Sequence, residues 1–87
     1  MTALIDTIQD AFVAEREQAD YAGGELSCGL VVEAIERYLK IDDERLEGAV
    51  ARAYIEARAA WGNEWIYASG DVAERILVHV RLVTLSL

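Results

Sequence analysis

The chain has no proline, one cysteine and one histidine among its 87 residues, and each shortage removes a class of chemistry. A single cysteine closes no intrachain disulfide, so the redox compartment is left open and a cytoplasmic location is expected. His79 is the only imidazole. A nucleophile–His–acid triad would need Cys28 or a serine to reach it across the fold, and no Gly-x-Ser-x-Gly elbow is present. Tetrahedral zinc would require two carboxylates beside that one cysteine and one histidine. The acidic run Asp42-Asp43-Glu44-Arg45-Leu46-Glu47 lacks the spacing of a calcium loop and reads as a helix cap. Gly23-Gly24 is followed by Glu25 rather than Lys-Ser, so no phosphate-cradling loop exists. The expectation is a protein that is not an enzyme and carries no metal or cofactor.

Positive charge is also scarce. Eight Lys and Arg face sixteen Asp and Glu, a formal net charge of −8. Phosphate affinity comes from clustered Lys and Arg, so direct nucleic-acid binding and attachment to an anionic membrane are not expected. Uncharged apolar stretches fall far short of the ~20 residues of a spanning helix. The segment Met1-Thr2-Ala3-Leu4-Ile5-Asp6 has no basic start and predicts no signal peptide.

What is abundant is apolar surface, 54% of residues, enough for a single helical domain over residues 1–87. No repeat or linker interrupts it. Leu4, Ile5, Ile8, Ala11, Phe12 and Ala19 recur at helical spacing and predict a first helix from Ala3 to Ala19, stopped by Asp20 to Gly24. Leu30, Val31, Ala34, Ile35, Tyr38 and Leu39 mark a second from Ser27, its expected N-cap, to Lys40. A third starts at Asp42 or Asp43. It buries Leu46, Ala49, Val50, Ala53, Ala57, Ala60 and Trp61, and ends at Gly62. For the last segment, Asp71 and Glu74 have capping-box spacing, and Val72, Ile76, Val80, Val83 and Leu87 repeat as in a helix. The β-branched run from Val78 to Thr84 also suits a strand. The fold expected is all-α, an antiparallel bundle of three to four short helices with a C-terminal segment that is helix or strand.

Two features point toward protein contacts. Trp61, Trp65 and Tyr67 lie within seven residues, and Trp and Tyr are enriched at interface hot spots. They either plug the end of the bundle or touch a partner; one combination puts Trp61 inside and Trp65 outside, with Asn63 and Glu64 accessible at the tip. Acidity is concentrated as well. Residues 1–25 hold six acids against Arg16, a net of −5, and residues 42–47 hold four against Arg45, a net of −3. If those surfaces adjoin, they form one patch that meets a basic protein surface. The expected partner-binding residues are Asp6, Asp10, Glu17, Asn63, Glu64, Trp65 and Tyr67.

Residues 76–87 contain eight large aliphatics and only one charge, Arg81. Leu77, Leu82 and Leu85 fall outside the stripe of Val72, Ile76, Val80, Val83 and Leu87, so a monomer would leave apolar surface in water. A homodimer is expected, with Leu77, Leu82, Leu85 and Leu87 as its self-association residues. In size and charge the chain resembles small acidic helical inhibitors, such as bacteriocin immunity proteins and phage-encoded anti-defence proteins. That resemblance rests on composition and on no motif. It implies a small inhibitor or adaptor that occupies a basic surface of a nucleic-acid-binding partner, the alternative being a self-associating structural subunit.

Overall fold

The computed structural model describes residues 3–22, with side chains through residue 19, and residues 26–86. It contains four α-helices: α1 (Leu4–Ala22), α2 (Gly29–Leu39), α3 (Arg45–Trp61) and α4 (Ser69–Leu85). A 3₁₀ helix, Gly62–Tyr67, joins α3 to α4. Among the described residues there is no strand, and the C-terminal segment is helical. Its β-branched residues are set at the helical spacing Val72, Ile76, Val80, which buries all three, and tertiary burial outweighs local propensity.

Helix α1 packs on α2 and α4, and α3 packs on the same two, so α1 and α3 lie across the bundle from each other. Helices α3 and α4 run antiparallel. Arg45 meets Ser86, Glu56 meets His79 and Trp61 meets Asp71, pairing the start of one with the end of the other. Alanines at 53, 57 and 73 are buried where these helices approach, as small side chains permit.

Ile8, Phe12, Val31, Ile35, Leu46, Val50, Val72, Ile76 and Val80 form the innermost layer. Phe12, Tyr54 and Trp65 close it as a ring triangle with centroids 5.2 to 5.8 Å apart. Tilted and edge-on aromatic contacts of this kind are worth more than their buried area alone.

The helix ends depart from expectation in instructive ways. Helix α1 continues to Ala22; the glycine stop lies outside the described residues. Ser27 is not the cap of α2. Cys28 takes that position without a side-chain bond, and the cap comes from another helix: the Glu15 carboxylate accepts the Leu30 N–H through Oε1 and the Ser27 hydroxyl through Oε2 at 2.9 Å. The N-cap position of α3 is Glu44, without a side-chain bond, rather than Asp42 or Asp43, and Asp43 just before it accepts the Arg45 N–H at 2.9 Å. Gly62 ends α3 with φ +62°, a conformation that costs glycine nothing. The expected capping box of α4 does not form. The helix starts two residues before Asp71, whose carboxylate is turned to Arg75 and Trp61 instead.

Candidate functional site

The tightest cluster of accessible aromatic surface is built by the 3₁₀ helix. With three residues per turn, side chains at i and i+3 stack in one row, and that row is Trp61, Glu64 and Tyr67. Together with Ala60 and Ala68 they line an open groove of about 550 Å³. Trp65 falls on the opposite side and enters the core, 7% exposed, while Trp61 is 50% exposed. The expected assignment of Trp61 inside and Trp65 outside is therefore reversed. Trp65 packs between Phe12 and Tyr54, and the Arg58 guanidinium sits 5.4 Å from its ring centre.

Both rim aromatics are held in place. The Trp61 indole Nε1 donates to Asp71 Oδ2 at 2.9 Å, and Arg75 Nε donates to the same oxygen at 2.6 Å. These two donors, Arg75 first and Trp61 second, hold the Asp71 carboxyl below the usual carboxylate range. The anchor is thus charged at neutral pH and lost only in acid. Tyr67 is exposed, and Arg16 of α1 lies over its ring at 5.6 Å. Aromatic residues already ordered in the free protein lose little entropy on binding.

Arg16 also donates to the Ile66 carbonyl at 3.2 Å, and Gln9 Nε2 donates to Ser69 Oγ at 3.3 Å. These bonds lay α1 beside the segment that carries the groove. Arg16 is the one base of α1, and it is occupied by this contact. Asp6, Asp10 and Glu17 are exposed and make no ion pair among the described residues. Asn63 and Glu64 are exposed at the tip. Helix α1 touches α3 through the buried Phe12 and Tyr54 rings, and no hydrogen bond or ion pair among the described residues joins the exposed acids of α1 to those at the start of α3.

A buried polar cluster lies where the sequence pattern alone shows only an acidic helix. Glu15 is 3% exposed and joins Ser27, Leu30 and Tyr54 where α1, α2 and α3 meet. The Tyr54 hydroxyl donates to the Ser27 carbonyl at 3.4 Å. Burial, then the nearby Glu15 carboxylate, push the Tyr54 phenol far up. The signal was available: Ile8, Phe12 and Glu15 follow one another at steps of four and three, which carries Glu15 onto the buried face.

The same neighbourhood decides the character of Cys28. Its place at the start of α2 offers a dipole that lowers thiol pKa. Burial first, then Glu47 and Glu15, instead push this thiol up, so the thiolate is disfavoured.

Between α3 and α4 runs a second groove, about 350 Å³, lined by Arg45, Arg52, His79 and Ser86 with Gly48, Ala49, Leu82 and Val83. His79 Nε2 contacts Glu56 Oε2 at 2.9 Å. The Ser86 hydroxyl donates to the Val83 carbonyl and accepts from Arg45. Histidine and serine are each held by other groups, so no nucleophile–base contact forms there. Among the described residues no three His, Cys, Asp or Glu side chains come together as a metal-ligand set, and no buried side-chain nitrogen or oxygen lacks a partner. No described helix is long and apolar enough to cross a membrane.

Of the expected self-association residues, Leu77 is partly buried against the core, because it leans to the flank of α4 rather than its outer face. Leu82 and Leu85 are exposed, as is Val78. Leu87 lies outside the described residues. No family model matches the chain, and no curated protein and no solved structure matches it.

Proposed function

We propose that this chain is a non-enzymatic protein-binding module, a small inhibitor or adaptor that occupies a basic surface of a nucleic-acid-binding partner. The observation that carries the reading is the row Trp61, Glu64, Tyr67: two large amphipathic rings, exposed yet tethered, on either side of a carboxylate. Hot spots favour Trp and Tyr set in pockets, with charge at the margin. The exposed acids of α1, Asp6, Asp10 and Glu17, supply the sign of the field, which raises the association rate for a basic partner.

The test uses the full chain and the partner recovered on it from the host. Converting Asp6→Asn, Asp10→Asn and Glu17→Gln together is expected to slow association by about tenfold at low ionic strength, since steering by exposed charges is screened beyond roughly 10 Å at 0.1 M salt. Added salt should erase the difference between variant and parent. An association rate unchanged at low salt would remove the acidic face from the proposal.

The self-associating alternative is favoured by one separate feature, the exposed aliphatics of α4, and that face is distinct from the aromatic groove.

A further inference from the structure

The outer face of α4 carries Glu74, Val78, Arg81, Leu82 and Leu85. On a helix of 3.6 residues per turn these positions fall within one arc, opposite the buried Val72, Ile76 and Val80. Leu85 is 82% exposed, and Val78 and Leu82 are each more than half exposed. Three large aliphatics in one arc make a contact surface rather than scattered apolar residues.

Charge on the same arc says what covers it. Glu74 and Arg81 are exposed, and among the described residues neither makes a hydrogen bond or ion pair through its side chain. Nor does either have an opposite charge three or four residues away on α4, the spacing that allows pairing within a helix. They stand seven residues apart, on either side of Val78. A second helix of the same sequence, packed antiparallel with a two-fold axis between Leu77 and Val78, sets Glu74 of each copy opposite Arg81 of the other. The same operation sets Leu85 opposite Gly70, which is exposed and has nothing within 4 Å of where a Cβ would sit. A two-fold contact must be self-complementary, and this arc is: acid meets base, the long aliphatic meets the residue without a side chain, and the apolar centre meets itself.

We infer that two copies of this chain associate through antiparallel α4 helices across that axis. The dimer does not depend on the aromatic groove, so the two readings fail separately.

Sedimentation of the full chain provides the test, over a concentration series reaching about 500 µM, the weak end for a patch of this size. A monomer–dimer equilibrium is expected. Glu74→Arg alone and Arg81→Glu alone each replace two attractive pairs by two repulsive ones and should weaken the dimer about tenfold. The double reversal restores both pairs and should return the dimerisation constant to within about threefold of the parent. Val78→Gln with Leu82→Gln, both on exposed positions and neutral in charge, should abolish the dimer with helical content by circular dichroism unchanged. A monomer throughout the series overturns the inference, whether the face is bare or covered by another protein. So does a dimer indifferent to the glutamine pair, or single reversals that the double reversal fails to rescue.

Discussion

Trp65→Ala is expected to lower folding stability by about 3–5 kcal/mol, the range for removing a buried aromatic. The indole fills the space between the rings of Phe12 and Tyr54 and roofs the core beneath the 3₁₀ helix. Neither neighbour can follow it fully into the void, since Phe12 is fixed on α1 and Tyr54 on α3, two separate helices. A domain of this size has a total stability near the lower end of roughly 5–15 kcal/mol, so the variant should be substantially unfolded at body temperature. Thermal unfolding checks this, with a midpoint drop above about 12 °C expected from some 4–8 °C per kcal/mol. A midpoint within a few degrees of the parent would mean that Trp65 is not a core residue.

Glu15→Ala carries the next largest effect, about 3 kcal/mol. The carboxylate accepts from the Leu30 amide and the Ser27 hydroxyl, and hydrogen bonds to a charged group contribute roughly 1.5–3 kcal/mol each. Ser27 is exposed and turns to water when the acceptor goes. The Leu30 amide, one of the orphan donors of the α2 N-terminus, has no side-chain cap on its own helix to replace Glu15. Glu15→Gln keeps an oxygen acceptor for one of the two donors, and its loss should be about half as large. Chemical denaturation measures both, and hydrogen exchange at Leu30 should accelerate in the alanine variant more than exchange in the middle of α3. A loss below about 0.5 kcal/mol for alanine would remove Glu15 from its capping role.

Both predictions concern residues that the sequence misplaces, and for related reasons. The helices themselves are legible because apolar spacing reports burial directly: Ile8 and Phe12, Val31 and Ile35, Val72, Ile76 and Val80 were expected inside and are inside. Glu15 sits on the same stripe as Ile8 and Phe12, but a charge reads as solvent-facing unless its partners are known. Those partners, Ser27 and Leu30, belong to the next helix. Trp61 is misplaced because the apolar stripe of α3 reads on past Ala57 to a helix end that is exposed. Trp65 is misplaced because the stretch after Gly62 shows no helical repeat that would assign it a face. Once that stretch is a 3₁₀ helix, the three-residue repeat sends Trp61, Glu64 and Tyr67 one way and Trp65 the other. Asp71 shows a further limit. Its spacing to Glu74 fits a capping box, yet a nearby indole and guanidinium compete for the carboxylate and win. At α4, the question of helix or strand is settled by burial of every third or fourth residue, which propensity alone does not weigh.

The contrast between the two tryptophans gives the most direct test of the central claim that the Trp61–Tyr67 row contacts a partner. Trp61→Ala removes an exposed ring and one hydrogen bond to Asp71, so it should leave the thermal midpoint within about 8 °C of the parent, a loss of at most ~1 kcal/mol. In isothermal titration against the partner recovered on the full chain, the same variant should bind more weakly by over ~2 kcal/mol, about thirtyfold, as expected for a hot-spot residue. An affinity equal to that of the parent, with the fold intact, would contradict the account.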